Sequence, residues 1–545
     1  MKPCGVSALQ PRDLGIAFSV AVLALLLRSL VFIDVSSLPT FEFTIGDARS
    51  YTEWAGRIAE GDWWGDRVFY QAPAYPYFLA LVRVAAGADQ EFAVFAQIVL
   101  GSLSCALLLL ATTLFLGRGA GLAAGLLLAL YPSAIFFDLI LQKASLGLFL
   151  LCALLFALAR FQAVPGSARV ALGGLALAAL ALTRENALAF AVVVPVWIVL
   201  AFRTEPMALR ARWAAAFLLA LLLPLACVGA RNQAVGGTFA ITTSQLGPNF
   251  YIGNNPGATG VYKPLIPGRE TPEFEGSDAA QLAEEALGRE LTAGEVSSYW
   301  LDRSLDFIVS EPLAWVLLTV NKGLLAFHRF EVPDYEDVYL FADHSPLLRT
   351  LHAVLHFGIL LPLAVAGMVL GWQRGARVGL LHALFWVFTA SLVAFYLFAR
   401  YRFPMVPLLV PFAGFAIAET VATVRRGEAV TLRAPLAAAL VALVLANLPI
   451  VNEAPLRATS HFNMADMLIQ NGRPLEAEPF LVRAEAIYPD NPDLQLRLAL
   501  VQLERGRRRE AVRHLEHALR LAPEHPGALE LQRHIHALRL APPRS

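Results

Sequence analysis

A glycine and an aspartate, Gly46 and Asp47, stand where the chain first leaves an apolar run for a polar segment. The run covers residues 14–33, and the aromatic, proline-rich turn 70–76 follows the aspartate. A carboxylate on a loop at a membrane surface can meet a substrate whose tail stays in lipid, so Asp47 is a candidate for catalysis. The alternative is structural, because this aspartate can cap a helix that runs on to Ala59 and is stabilised there by the helix dipole.

Further ionisable residues concentrate in the short connections between apolar runs. They are Asp138, Lys143, Arg184, Glu185, Arg231, Arg400 and Arg402. Guanidinium groups suit phosphate, because they donate in a planar fork and stay charged, and a shared anion is one explanation for the basic residues. Two alternatives stay open: Arg and Tyr also anchor helices at lipid headgroups, and Asp138 could pair only with Lys143 or Arg184.

The composition indicates a polytopic membrane protein. Of the 545 residues, 57% are hydrophobic and 16% charged, and the mean hydropathy is +0.57, which is too apolar for an ordinary soluble protein. Basic and acidic residues balance at 43 each, so no nucleic-acid partner is expected. The four cysteines are scattered without metal-ligand spacing and indicate no disulfide framework.

Eleven apolar windows predict about eleven membrane-spanning helices, although some windows are short for a hydrocarbon core of about 30 Å. The windows lie at about 14–33, 91–116, 120–137, 144–162, 169–183, 187–202, 213–230, 351–371, 378–399, 403–424 and 434–452. The first window lacks a small-residue cleavage site and is expected to be retained. Arg28 near its end can snorkel to the outer surface or face a polar cavity.

Basic residues predict the orientation, because short cytoplasmic loops are rich in Lys and Arg. One alternating set of connections carries Arg118, Arg203, Arg210, Arg212, Arg374, Arg377, Arg425, Arg426 and Arg433. This set and the N-terminus are predicted to be cytoplasmic. Loops 34–90 and 231–350, and the chain after residue 453, are then outside. The loop 231–350 is expected to contain a helix at 277–287 and, after it, an amphipathic helix at 311–330 that lies on the outer membrane surface.

A repeat follows the last apolar window. Gly472, Ala477, Ala484 and Pro489 recur 34 residues later as Gly506, Ala511, Ala518 and Pro523, and Ala465 likewise recurs as Ala499. This is the period of tetratricopeptide helix pairs, which the segment resembles. We expect a transmembrane domain at 1–452 and a tetratricopeptide domain at 456–541, which either binds a protein partner or stabilises the chain.

Several motifs, taken in order, resemble the multi-span GT-C glycosyltransferases. They are Gly46-Asp47 after the first span, the turn Pro73-Ala74-Tyr75-Pro76, Arg231-Asn232, the run 249–255 (Asn-Phe-Tyr-Ile-Gly-Asn-Asn) and Arg400-Tyr401-Arg402-Phe403-Pro404. The likeness covers about residues 10–450 and is greatest to bacterial members related to protein O-mannosyltransferases and aminoarabinose transferases. It implies an all-α fold with a membrane bundle of the GT-C type, to which the repeats are an addition.

The resemblance also implies a reaction. The enzyme would transfer a sugar from a polyprenyl-phosphate donor, with inversion, to a hydroxyl or amine on a glycan, lipid or protein at the periplasmic face of a bacterial inner membrane. Asp47 takes the role of catalytic base and Asp138 that of a second acidic position. The remaining implied site residues are Lys143, Arg184, Arg231, Arg400 and Arg402 for the donor phosphate, and Tyr75, Asn254 and Asn255 for the substrate loop.

No cofactor is assigned. Many relatives carry an acid close to the position of Lys143, and this difference argues against a divalent metal and a metal-dependent version of the mechanism in this chain. Three competing functions remain. A transporter should show internal repeats of its spans or broken mid-membrane helices, and neither is clear. A lipid-linked oligosaccharide ligase or polymerase differs only in the size of its donor, and a membrane scaffold that presents the repeats would not need Asp47.

Overall fold

The computed structural model describes residues 9–266, 269 and 272–540, and these residues fold almost entirely into helices. Apolar runs favour helices in a membrane, because every backbone polar group must be satisfied within the segment. Up to residue 201 the helices are α1 Pro11–Val35, α2 Gly46–Ala59, α3 Ala74–Ala86, α4 Gln90–Leu116, α5 Arg118–Leu130, α6 Pro132–Leu139, α7 Ala144–Ala163, α8 Ser167–Ala181 and α9 Phe190–Ala201.

The central part of the chain contains both long and short helices. They are α10 Met207–Gly236, α11 Leu246–Gly253, α12 Pro272–Leu287, α13 Ala293–Ser310, α14 Pro312–Phe327, α15 Val338–His344, α16 Pro346–Val354, α17 Phe357–Gln373, α18 Gly379–Val393, α19 Ala399–Arg402, α20 Met405–Arg425 and α21 Arg433–Ala446. Short 3₁₀ helices lie at Pro39–Phe41, Glu185–Ala189 and Ala429–Leu432. Within the described residues, β structure is limited to one isolated bridge between Val261 and Leu397.

The last five helices are α22 Glu453–Gln470, α23 Pro474–Ile487, α24 Pro492–Glu504, α25 Arg508–Leu521 and α26 Pro526–Leu540. The all-α fold class predicted from the sequence is therefore confirmed.

Among the described residues, six helices are long and apolar enough to cross a membrane, or up to nine if each bent pair is one span. The bent pairs are α5 with α6 (53°), α13 with α14 (107°) and α16 with α17 (40°). Each of the eleven predicted windows contains a helix, but those at 169–183, 187–202 and 378–399 hold shorter apolar helices. The chain is thus a multi-pass membrane protein whose clear spans are fewer than the windows.

The predicted surface helix at 311–330 corresponds to α14, which covers Pro312–Phe327. Its apolar side chains include Leu313 and Leu317, which are 71% and 62% exposed. The predicted helix at 277–287 is part of α12, which begins five residues earlier, at Pro272.

The chain divides into two compact units. The first contains residues up to Val35, Gly46–Glu331 and Ser345–Leu448. In it α4 packs on α1, α5 and α7, α8 packs on α10, and α20 packs on α5 and α17. Glycine allows the closest approaches: a Cβ on Gly367 would lie 1.9 Å from the Phe412 carbonyl oxygen, and one on Gly414 would lie 2.5 Å from that of Ala120. Small residues at such contacts are typical of membrane helix bundles.

The second unit contains the repeats from Pro449 onward, together with segments Ser36–Ile45 and Val332–His344. The alanines of the 34-residue pattern are buried between helices, and Ala465, Ala477 and Ala484 are 0% exposed. Gly472 and Gly506 end the first helix of each pair with φ of +74° and +73°. The recurring glycine is explained by this left-handed turn, which other residues adopt at a cost.

The two added segments are part of the core and ion-pair network of this unit. Phe43 packs against the apolar core of the repeats. Asp343 contacts Arg483 at 3.1 Å and His461 at 3.6 Å, and the buried Asp337 accepts a hydrogen bond from Ser460 at 2.8 Å. The sequence analysis did not assign these segments to the repeat domain.

Candidate active site

Asp47 lies in the first turn of α2 and is 5% exposed. The preceding Gly46 has φ of +52°, a left-handed conformation that lets the chain turn sharply into the helix. The side chain is thus held at a helix N-terminus, where the dipole favours a carboxylate. This position agrees with the structural alternative, in which Asp47 starts a helix. The surrounding residues decide whether Asp47 can also take part in a reaction.

Both carboxylate oxygens of Asp47 have partners. Gln71 donates to Oδ1 at 2.7 Å, and Arg400 forms an ion pair with Oδ2. Ser50 donates to the side-chain oxygen of Gln71 at 3.1 Å, which fixes the orientation of that amide. Arg400 also donates to Gln142 at 3.2 Å. Burial acts to raise the pKa of Asp47, but Arg400 and then Lys143 outweigh it and hold the pKa below its usual value.

Two further basic residues belong to the same cluster. Lys143, which precedes α7, is 7% exposed, and burial lowers its pKa. Arg184, which follows α8, is 4% exposed, and its pKa falls to about 10 because of burial and then the nearby charge of Arg400. Neither Nε nor Nη2 of Arg184 has a hydrogen-bond partner among the residues that the structure describes. A buried guanidinium with unfilled donors is costly unless a ligand supplies the acceptors.

Glu185 is the second carboxylate of the cluster. Its side chain lies 3.9 Å from the Lys143 ammonium group and accepts hydrogen bonds from Thr243 at 3.0 Å and Gln245 at 2.7 Å. Its position is therefore fixed by the segment that follows α10.

Aromatic side chains surround these charges. The Arg400 guanidinium lies 5.0 Å from the centre of the Tyr401 ring, and that of Arg184 lies 6.0 Å from the same ring. Burial raises the pKa of Tyr51 and of Tyr401, so both phenols are neutral donors at ordinary pH. The hydroxyl of Tyr51 is buried, and within the described part of the chain it has no hydrogen-bond partner. Tyr75 packs edge-on against Tyr51 with centroids 5.2 Å apart.

Asp138 has other neighbours. It pairs with Arg28 at 2.7 Å, with both side chains 0% exposed, and it accepts from Ser145 at 2.5 Å. Arg28 thus faces the interior of the bundle, where it meets a buried carboxylate, and does not snorkel to the outer surface. Gln97 joins this region to Tyr75, because it accepts from the tyrosine hydroxyl at 2.7 Å and donates to the Asp138 carbonyl oxygen at 3.3 Å.

Arg231 and Arg402 also have local partners. Arg402 pairs with Glu331 at 2.6 Å, contacts the carbonyl oxygen of His328, and lies 4.3 Å from the Phe357 ring centre. Arg231 donates to the Trp64 carbonyl oxygen and lies 3.9 Å from the Phe69 ring centre. These described contacts hold chain segments in place and do not include Asp47.

The two predicted asparagines hold the segment after α11. Asn254 donates to the carbonyl oxygens of Phe250 and Ala394, both at 2.8 Å, and accepts from Lys322 at 3.0 Å. Asn255 donates to the Tyr251 carbonyl oxygen at 2.8 Å. Their described partners are therefore protein groups.

The structure brings together four of the predicted site residues, Asp47, Lys143, Arg184 and Arg400. The sequence analysis missed Gln71, Gln142 and Tyr51 as members of the cluster, although Gln71 lies inside the proline-rich turn and Gln142 precedes Lys143. Among the described residues, no group of three or more His, Cys, Asp or Glu side chains is arranged to hold a metal ion.

Residues 468–535 match the tetratricopeptide repeat family, which confirms the repeats predicted from the 34-residue period. Comparison with curated protein sequences gives no match.

Solved structures of two transferases resemble the chain at low identity. They are the Archaeoglobus fulgidus oligosaccharyltransferase in complex with Zn and sulfate (14% identity, 81% of this chain and 55% of that chain, TM-score 0.44) and ArnT from Cupriavidus metallidurans bound to undecaprenyl phosphate (15% identity, 77% and 81%, TM-score 0.35). The chain spans about half the length of the archaeal protein. Functional conclusions for this chain therefore rest on its own side chains.

Proposed function

We propose that this protein is a membrane glycosyltransferase that moves a sugar from a polyprenyl-phosphate donor to an acceptor hydroxyl or amine. The observation that carries the proposal is a buried, incompletely satisfied set of charges around Asp47. Arg184 has two unpartnered donor atoms in this set, and the adjoining Lys143 is also buried. Buried donors of this kind are suited to a phosphate group.

The cationic side chains of the cluster support an anionic donor. Lys143, Arg184 and Arg400 interact electrostatically with one another and with Asp47 and Glu185, and the Glu275 carboxylate acts on the Tyr401 ring beside them. A sugar joined to a lipid through a phosphodiester carries one negative charge and would supply acceptors for the donor atoms of Arg184.

In the proposed reaction Asp47 accepts the proton of the acceptor hydroxyl or amine as that group attacks the anomeric carbon. A new bond forms between the acceptor and the anomeric carbon, and the bond from that carbon to the phosphate oxygen breaks. The electron pair remains on the lipid phosphate, where Lys143, Arg184 and Arg400 stabilise the charge. A single displacement of this kind inverts the configuration of the sugar.

The remaining predicted residues take supporting roles in this proposal. Tyr75 packs beneath Tyr51, while Arg231, Arg402, Asn254 and Asn255 hold the segments that lead into the site. Asp138 acts through its pair with Arg28, as a positioning residue for the helices that carry Lys143.

The location of the site is also a proposal. The distribution of basic residues supports a bacterial inner membrane protein with a cytoplasmic N-terminus, in which the Asp47 cluster and the repeats face the periplasm. The lipid tail of the donor would then remain in the bilayer, and the repeats would be available to a protein partner.

The experiment compares membranes that contain the wild-type protein, Asp47→Asn or Glu53→Gln with radiolabelled sugars on polyprenyl-phosphate donors. Glu53 lies on the same helix and is exposed, which makes it a matched control. We expect transfer by the wild type and Glu53→Gln, and a loss of about 10²–10⁴-fold for Asp47→Asn, the usual contribution of a general base. Equal transfer by all three proteins would remove Asp47 from the mechanism, and transfer from diphosphate donors alone would favour the oligosaccharide ligase.

A further inference from the structure

The contacts of Asp47 conflict with its role as a base. One oxygen accepts from Gln71 and the other is paired with Arg400. An adjacent guanidinium stabilises the ionised carboxylate and so weakens its affinity for a proton. In the arrangement observed, Asp47 is therefore a poor acceptor for the proton of an attacking hydroxyl.

The surroundings of Arg400 offer it a second partner. Arg400 has the strongest effect of any neighbouring charge on Arg184, and both guanidinium groups lie against the Tyr401 ring. An anion that filled the empty donor positions of Arg184 would therefore lie close to Arg400 as well. Because both arginines are positively charged, such an anion attracts both of them and offsets their mutual repulsion.

We propose that Arg400 changes partner when the donor binds. In the empty site Arg400 is paired with Asp47, and in the loaded site it is paired with the donor phosphate instead. Asp47 is then released as a base only when the phosphate group of the lipid is in place. The inference rests on the proposed function, and it assigns Arg400 a switching role in addition to phosphate contact.

The exchange of partners costs little free energy, because neither Asp47 nor Arg400 is left as an uncompensated buried charge in either state. In the empty site Asp47 and Arg400 neutralise each other. In the loaded site the phosphate compensates Arg400, while Asp47 keeps the hydrogen bond from Gln71 and lies close to Lys143. Gln71, itself held by Ser50, is therefore the positioning residue that keeps Asp47 in place after Arg400 leaves.

The test measures the reactivity of Asp47 towards a carbodiimide, which modifies the protonated carboxyl group, with peptide mass spectrometry as the readout. The purified full-length protein in detergent is labelled alone or with farnesyl phosphate, farnesol or inorganic phosphate. We expect farnesyl phosphate to raise the modification rate of Asp47 about tenfold or more, since loss of one adjacent opposite charge ordinarily changes the protonated fraction by at least that factor. Farnesol, which lacks the phosphate, should have no effect.

Arg400→Gln is the decisive variant. Its Asp47 should react rapidly without any ligand, and farnesyl phosphate should add little. If farnesyl phosphate lowers the labelling of Asp47 in Arg400→Gln, the decrease measures how far the bound lipid shields Asp47 from the carbodiimide. The wild-type labelling rate is then corrected by the same factor. Arg400→Lys, which retains the charge but not the planar fork, should give an intermediate rate and serves if Arg400→Gln does not fold.

The outcomes distinguish a failure of the proposed change of partner by Arg400 from a failure of the proposed transferase function. A rise with farnesyl phosphate in the wild type alone supports the exchange, and an equal rise with inorganic phosphate shows that the phosphate group is sufficient. Bound farnesyl phosphate, detected by a shift in thermal unfolding, with no change in corrected Asp47 labelling overturns the exchange but leaves the transferase proposal intact. If farnesyl phosphate does not bind at all, both proposals fail.

Discussion

The Arg28–Asp138 pair predicts a large loss of stability when either partner is neutralised. The atoms Arg28 Nε and Asp138 Oδ2 are 2.7 Å apart and both side chains are 0% exposed. At an effective dielectric constant of about 20, two unit charges at this distance attract by roughly 6 kcal/mol. Desolvation offsets much of this, but removal of one partner leaves an uncompensated buried charge, at a cost of about 3–5 kcal/mol. Asp138→Asn should therefore destabilise the fold.

The assay is thermal unfolding of the purified protein in detergent, followed by tryptophan fluorescence and by recovery of monodisperse protein. Asp138→Asn and Arg28→Gln should both unfold at a lower temperature than the wild type. The double variant Arg28→Met with Asp138→Leu removes both charges and should recover most of the loss. Gly101→Ala should resemble the single variants, because its Cβ would lie 1.7 Å from Asp138 Oδ2.

Transfer activity, measured on the folded fraction, distinguishes a structural role of Asp138 from a direct role in the reaction. If Asp138 acts through its pair, the double variant should regain activity together with stability. The reasoning would be refuted by an Asp138→Asn protein that is as stable as the wild type. A stable double variant without activity would return Asp138 to the reacting centre.

Three further predictions concern other parts of the chain. Arg184→Gln should weaken farnesyl phosphate binding about 10–100-fold in a titration, because hydrogen bonds to charged groups contribute about 1.5–3 kcal/mol. The thermal stability of the empty protein should stay level or rise, because Nε and Nη2 of Arg184 have no partner to lose among the described residues. Gly506→Ala, at φ of +73°, should destabilise the repeats by about 1 kcal/mol in denaturant unfolding. Contact with His461, and then Arg483, lowers the pKa of Asp343 to about 2, so this contact stabilises above the ordinary carboxyl pKa of about 4 and is lost as the pH falls towards 2. Asp343→Asn should flatten that part of a stability–pH curve.

The sequence predicted the repeats and the helical class well, because both depend on local periodicity. The 34-residue pattern marks positions such as Ala465, Ala484 and Gly506, whose small size or left-handed turn is required wherever the helices meet. Residues 36–45 and 332–344 carry no such pattern. They join the second unit through contacts such as Phe43 with the repeat core, and no local signal indicates a partner more than 100 residues away.

The candidate site was only partly predictable for the same reason. The ionisable residues at the ends of apolar runs include Asp47, Lys143, Arg184 and Arg400, which the structure brings together, and also Asp138, Arg231 and Arg402, which have other partners. Their positions in the sequence do not indicate which arginine pairs with which acid. Asp47 and Arg400 are separated by 353 positions, and their pairing depends on how the bundle folds.

Hydrogen-bond partners distinguish two kinds of buried arginine in the membrane unit. Arg28 lies 2.7 Å from Asp138, and Arg402 lies 2.6 Å from Glu331, and buried ion pairs of this kind are tolerated as structure in a low-dielectric interior. Arg184 differs, because its Nε and Nη2 have no hydrogen-bond partner among the described residues. Unfilled donors on a buried guanidinium lower stability unless a ligand supplies the acceptors. This is why we propose that a ligand binds at the cluster around Asp47.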